Sequence, residues 1–195
     1  MTVYSLVLFL HVGAALALAS VLSIDALILF QLRRATSPTR ANLWLELWPA
    51  VPWIAGGSGL LLLLSGGYLA DRMSAWTLAW PKVALAVLIL IGILGAVTSR
   101  RMRALRRASA PDESEFFRRR EDPILKISLS VRIALVFAAV LLMNAKPQLR
   151  ESISIVGAAV VLGLAAAFLI PNRGSALSTA MQAVSGRSNR PRPLT

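Results

Sequence analysis

Cysteine is absent from this sequence, and histidine occurs only once, as His11. Without cysteine the chain can form no disulfide, no thiolate metal site and no cysteine nucleophile. Zinc and copper sites need three or four ligands of suitable type, which one histidine and scattered methionines do not supply. The composition therefore predicts that the protein has no metal site.

Charge is also scarce, because only 15% of the residues are charged while 56% belong to the hydrophobic set. This balance excludes an ordinary water-soluble domain. The apolar residues form blocks long enough to cross about 30 Å of hydrocarbon, which takes about 20 helical residues. The blocks predict five membrane spans, at residues 3–32, 50–70, 80–98, 127–143 and 153–170.

These spans are expected to be helices, because a bilayer offers no water and only helices or closed barrels satisfy their backbone groups internally. Barrel strands alternate polar and apolar residues, and the run Leu60 to Leu64 does not. The sequence thus predicts an all-α, polytopic membrane helical bundle over residues 1–171. We expect the first span to be retained, since no basic segment precedes it and it exceeds a signal-peptide core in length.

The few charges are unevenly distributed, with 21 basic and nine acidic residues and a net charge of +12. Sixteen of the 21 basic residues fall on one side of the five spans, in the first loop, the third loop (residues 99–126) and the tail (residues 172–195). By the positive-inside rule, the N-terminus lies outside and the C-terminus in the cytoplasm. The tail is rich in Ser, Gly, Pro and Arg, and we predict it to be disordered.

The third loop carries the densest positive charge, and its first part, Ser99 to Ala110, is predicted to extend the third helix. In one interpretation its arginines bind anionic phospholipid headgroups or an acidic partner, each adding about 1 kcal/mol near the surface. In the simpler one they determine topology and are solvated. Nucleic acid is not expected as a partner, because no recognition helix or aromatic platform accompanies the charge. The candidate headgroup residues are Arg100, Arg101, Arg103, Arg106, Arg107, Arg118, Arg119 and Arg120.

Two charged residues interrupt the spans. Asp25 is the only carboxylate inside a predicted span, and Arg132 interrupts the fourth. Asp25 precedes Arg33 by eight positions, about 12 Å of helix, and Arg132 follows Lys126 by six, about 9 Å, so both lie at a similar depth. An unpaired charge there costs at least about 2.5 kcal/mol. The sequence predicts a buried Asp25–Arg132 ion pair, which either only fixes helix packing or lines a solute or ion path.

His11 shares one face of the first span with Asp25, about 21 Å away along the axis. Lys82 opens the third span from the outer side, so an outer cluster of His11 and Lys82 is a second candidate site. Haem could use His11 as an axial ligand. The simpler expectation is a hydrogen bond to a neighbouring helix and no cofactor.

No catalytic set is evident in the sequence. Serines in or beside the spans lack the glycine pattern of a nucleophile elbow, and the one glycine-rich run lacks the continuation of a phosphate-binding loop. Small residues in spans instead predict close contacts between helices. Those residues are the run Gly56 to Gly59, Gly92 with Ala96, and the ladder Ala159, Gly163 and Ala167.

Short motifs in three spans carry a family resemblance. They are Leu10-His11-Val12-Gly13, Leu64-Ser65-Gly66-Gly67-Tyr68-Leu69, and Ser130-Val131-Arg132 leading to Leu142-Met143-Asn144-Ala145-Lys146-Pro147. With this arrangement about four-fifths of the chain, omitting the tail, resembles a bacterial family of uncharacterised integral-membrane proteins. The resemblance implies a multi-pass protein of the bacterial cytoplasmic (inner) membrane and carries no activity.

A remoter similarity is to the membrane protoporphyrinogen oxidase and copper-resistance D-like families, which also place a Leu-His pair in the first span. It implies a haem-linked membrane oxidoreductase, with His11 matching the haem-associated histidine and Lys82 the lysine that heads the third span. This chain departs from the oxidase pattern at Leu29-Phe30-Gln31-Leu32, which replaces an Arg and Tyr/His segment, and in its fifth span.

The residues together favour a non-enzymatic membrane protein that forms a small-solute or ion path or assembles with partners. Five spans enclose only a narrow interior, so a homo-oligomer is plausible. The alternatives are a haem-linked oxidoreductase built on His11 and Lys82, and a scaffold that binds anionic lipid through the third loop.

Overall fold

The computed structural model describes residues 2–35, 38–108 and 122–169. These residues form helices and contain no strand. We number the helices α1 (Val3–Arg34), α2 (Pro38–Leu47), α3 (Ala50–Arg72), α4 (Ala79–Ala108), α5 (Pro123–Ala145) and α6 (Leu149–Leu169). A single 3₁₀ turn, Ala75–Thr77, links α3 to α4.

Five stretches are long and apolar enough to cross a membrane: α1, the segment Leu43–Arg72 that contains α3, most of α4, α5 and α6. Many of their large apolar side chains face outward, including Phe137, Leu162 and Phe168, which are 72%, 67% and 79% exposed. Such a surface suits a lipid environment rather than water. The chain therefore has the architecture of a multi-pass helical membrane protein, as its composition predicts.

Helix ends follow local sequence signals. The Thr2 hydroxyl accepts a hydrogen bond from the Ser5 amide at 3.3 Å and caps the start of α1. Asp122 caps α5 in the same way, through the Ile124 amide at 2.9 Å, and is followed by Pro123. At the other end of α5, Lys146 adopts φ 48°, and the chain turns into α6.

Five helices that are long and apolar enough to cross a membrane lie where the five spans are predicted, and each is longer than its predicted span. The third predicted span ends at residue 98, whereas α4 continues to Ala108, in line with the predicted helical extension. The short helix α2 was not predicted. It begins at Pro38, packs on α1, and precedes the buried Trp48.

The helices associate in two groups. α1 packs along α3, and α5 packs along both α4 and α6, whereas α1 and α5, and α3 and α4, touch far less. The ladder of small residues on α6 makes its predicted contact, because a Cβ at Gly163 would lie 2.7 Å from the Val131 Cα of α5. The two groups meet at the end of the bundle where α1 finishes, in the largest core cluster. That cluster includes Ile28, Leu32, Trp48, Met102, Leu105 and Leu125.

Candidate functional site

The structure brings together the two charged residues that the sequence pairs. Arg132 on α5 donates through Nη2 to Oδ2 of Asp25 on α1, and both residues are 5% exposed. The Arg132 Nε atom is buried and has no hydrogen-bond partner within the described ranges. Gly95 on α4 lies beside the guanidinium, since a Cβ there would be in ordinary van der Waals contact with Nη1, at 3.5 Å. The pair thus joins the α1–α3 group to the α4–α5–α6 group.

Beside this ion pair lies a cleft with a volume of about 590 Å³. Its walls come mainly from α1, α3 and α4, and Asp25 and Arg132 both line it. The volume falls within the range of about 300–1,000 Å³ that is typical of small-molecule sites. Most lining side chains are apolar, among them Leu18, Leu22, Val51, Leu60, Leu88 and Ile91.

Glycines on α3 and α4 create much of this space. Gly56, Gly59 and Gly92 line the cleft, and a Cβ on any of them would meet nothing within 4 Å. The prediction of close helix contacts is therefore wrong for Gly56, Gly57, Gly59 and Gly92, whereas Ser58 in the same run is buried. Small residues permit close approach but do not enforce it, and here α3 and α4 diverge around the cleft instead of closing on each other.

One residue that lines the cleft carries a buried polar group without a partner in the described part of the chain. Trp48 lines it and is 4% exposed, yet its indole N–H has no hydrogen-bond acceptor among the described residues. Leaving a buried donor unsatisfied costs about 1–3 kcal/mol. Arg100 and Arg103 line the cleft from α4 and are exposed. Sequence reasoning did not identify Trp48, because its burial depends on how α2 and α3 pack.

The other candidate headgroup arginines divide into three sets. Arg101 forms an ion pair with Asp122, which links the end of α4 to the start of α5. Arg106 and Arg107 lie in the last turn of α4. Arg118, Arg119 and Arg120, with residues 109–121 of the third loop and the whole tail, lie outside the described residues.

His11 contacts α3, and no hydrogen bond joins it to Lys82 in the part of the chain that the structure describes. Its Nδ1 lies 2.9 Å from Oγ of Ser65, and the missing side chain of Gly66 lets the ring approach, since a Cβ there would be 3.2 Å from Cε1. Lys82 is exposed, and neither residue lines the cleft. His11 thus makes the helix–helix hydrogen bond that is the simpler of the two expectations.

The His11–Ser65 contact does not form an activated nucleophile. The Ser65 hydroxyl donates to the Leu61 carbonyl at 2.5 Å, so its oxygen accepts from the His11 Nδ1–H. Nucleophilic catalysis requires the reverse, with the imidazole accepting the serine proton. Residues 2–35, 38–108 and 122–169 contain no group of three His, Asp or Glu side chains placed to hold a metal ion.

Comparison with known proteins gives no relative from which a role could be transferred: no family model, no curated protein and no solved structure matches the chain.

Proposed function

We propose that this chain is a non-enzymatic, multi-pass protein of the bacterial cytoplasmic membrane that binds a small amphipathic molecule in its cleft. The N-terminus lies outside and the C-terminus lies in the cytoplasm, because the basic residues concentrate on one side of the spans. The observation that carries the proposal is the position of the buried Asp25–Arg132 pair in the wall of a cavity large enough for a ligand.

The lining matches an amphipathic ligand. Ligand sites are mostly apolar with a few polar groups that fix orientation. Here the apolar walls come from α1, α3 and α4, and the polar groups are the ion pair and the arginines at positions 100 and 103.

The chemistry of the lining favours binding over catalysis. The Asp25 carboxylate already accepts a hydrogen bond from Arg132, and the described residues of the lining offer no second carboxylate and no histidine with which it could form a catalytic set. The hydroxyl groups at Thr98 and Ser99 have no histidine beside them, since His11 lies elsewhere against Ser65.

The ion pair also gives the cleft its stability. It connects the two groups of helices beside the core cluster in which they meet. Opening the cleft further would separate two buried charges, which costs at least about 2.5 kcal/mol per unpaired charge at membrane depth. The ion pair therefore resists further separation of α1 from α5 beside the cleft.

Single cysteines introduced into this cysteine-free chain test the proposal directly. Gly92→Cys and Gly59→Cys place a thiol in the cleft without steric conflict, because nothing lies within 4 Å of either added Cβ. Ala138→Cys is the buried control, since Ala138 is 4% exposed and does not line the cleft. Met73→Cys, in the exposed turn after α3, measures how fast the reagent labels a fully accessible thiol.

We expect N-ethylmaleimide to label the two cleft positions much faster than Ala138→Cys in neutral detergent. Added decanoate, a single-chain amphiphile, should slow labelling at both cleft positions and leave Met73→Cys unchanged. Cleft thiols that react no faster than Ala138→Cys, or that decanoate does not protect, would refute the proposal.

A further inference from the structure

Building on this proposed function, we infer that the cleft holds an acyl chain of one anionic phospholipid, with the phosphate headgroup at Arg100 and Arg103. The inference names the ligand class, and it rests on charge, shape and position in the bundle.

The charge of the lining selects an anion. Arg100 and Arg103 are exposed and three residues apart, so they project from the same face of α4. Neither makes a hydrogen bond or ion pair within the described part of the chain. The only carboxylate in the lining is Asp25, which is already paired with Arg132. The mouth of the cleft therefore carries two positive charges that no lining carboxylate balances.

The shape of the cleft suits a hydrocarbon chain. Gly56 and Gly59 on α3 and Gly92 and Gly95 on α4 give two walls without large side chains, between apolar residues such as Leu60 and Leu88. Such a slot accepts methylene groups and offers them few polar partners. A soluble phosphate would satisfy the arginines but would leave these apolar walls uncovered.

Trp48 supplies a third contact. It lies between α2 and α3, at the end of the bundle where α1 finishes, and lines the cleft with Arg100 and Arg103. Tryptophan commonly lies at the level of lipid headgroups, where its ring meets hydrocarbon and its N–H meets polar atoms. The lipid therefore meets the edge of the Trp48 ring, whereas the Nε1–H is buried and does not face the cleft.

The position of the two arginines indicates which leaflet supplies the lipid. Arg100 and Arg103 belong to the strongly basic side of the spans, which the proposed topology places in the cytoplasm. Anionic lipids of that leaflet attract basic residues near the surface. The cleft is thus accessible to a lipid from the leaflet that its charge favours.

Native mass spectrometry of the full-length, delipidated protein tests the inference. The protein is mixed with equal amounts of phosphatidylglycerol and phosphatidylcholine that carry identical acyl chains. We expect one phosphatidylglycerol to bind in preference. Arg100→Gln combined with Arg103→Gln should reduce that preference about tenfold or more, given the contribution of each basic residue near a membrane.

Two controls separate this site from general surface binding. Lys146→Gln with Arg150→Gln removes the same charge from exposed positions that do not line the cleft, and should leave the preference unchanged. Gly92→Trp fills the slot while keeping both arginines, and should abolish it. Gly59→Leu provides a second filling variant, so that a folding defect in one is recognised.

Soluble glycerol phosphate should not compete with the lipid, because it lacks an acyl chain. Equal binding of the two lipids, unchanged preference in the arginine variant, full binding by both filled variants, or displacement by glycerol phosphate would each overturn the inference. If decanoate still protects Gly92→Cys in any of these cases, the proposed cleft function stands and only the identity of its ligand is wrong.

Discussion

Asp25 and Arg132 lie 107 positions apart in the chain, and their side chains, 7% and 6% exposed, form an ion pair between α1 and α5. Removing one partner leaves an uncompensated charge at membrane depth, whereas removing both leaves none. Unlike a surface pair, this ion pair should therefore make the single variants less stable than the double variant.

Asp25→Asn and Arg132→Gln should each destabilise the protein by about 3 kcal/mol, and the double variant should be less destabilised than either single variant. Unfolding in a graded series of denaturing detergent, followed by tryptophan fluorescence, measures this. Asp71→Asn, at an exposed position, should change stability by less than about 0.5 kcal/mol. A double variant as unstable as the single ones would show that the pair does not couple α1 to α5.

Gly163→Ala should destabilise the α5–α6 contact by about 1–3 kcal/mol, because the added Cβ would come 2.7 Å from backbone atoms that cannot move aside cheaply. Gly157→Ala on the same helix meets nothing within 4 Å and should be neutral or stabilising, since alanine favours a helix by about 1 kcal/mol. The same detergent titration compares the two. Equal effects would mean that α6 does not pack on α5 through Gly163.

A polar contact joins α4 to α5 through the hydroxyls of Thr98 and Ser128, which lie 2.8 Å apart. Ser128 also donates to the Leu94 carbonyl at 3.1 Å. A double-mutant cycle with Thr98→Val and Ser128→Ala should give a coupling energy of about 0.6 kcal/mol, the average for such bonds in membranes. A coupling near zero would assign the α4–α5 contact to apolar packing alone.

Topology reporters test the orientation that the basic residues predict. Green fluorescent protein fused after residue 195 should fluoresce, and alkaline phosphatase fused after Pro147 should be active, because the proposed topology places the first point in the cytoplasm and the second outside. Phosphatase activity at residue 195 together with none at Pro147 would reverse the assigned orientation, and with it the leaflet from which a lipid enters the cleft.

The absorption spectrum distinguishes the proposed function from the haem-linked alternative. We expect the purified protein to show no Soret band, and His11→Ala to affect only stability, by about 0.6 kcal/mol, through loss of its bond to Ser65. A Soret band that disappears in His11→Ala and persists in Lys82→Ala would support a haem protein with His11 as ligand. Loss of the band in both would implicate the two residues together.

Part of the site was predictable from sequence, because the relevant signals are local. Asp25 and Arg132 are conspicuous in apolar runs, and counting residues from the basic boundary places them at one depth. The partner of His11 was not predictable in this way. Several serines lie near spans, and only the packing of α1 on α3, with Gly66 against the ring, brings Ser65 to Nδ1.

The glycines also show what the sequence does not predict about packing. Gly163 and Gly92 both occur in ladders of small residues, yet Gly163 packs against α5 and Gly92 faces an open cleft. The spacing of small residues along a helix is the same whether they pack against another helix or line a cavity. Helix α2 was missed for a related reason, since it is too short for a span and its place depends on packing against α1.

The sequence by itself determined that the chain is helical and has five helices long and apolar enough to cross a membrane, because a bilayer requires spans of a certain length that satisfy their own backbone groups. It also determined which charges had to find partners. Only the tertiary structure decided which helices pack together and where they separate. Because lipid is as apolar as the helix surfaces, hydrophobic burial does not determine which helices associate. Shape, small residues and a few polar contacts determine it instead.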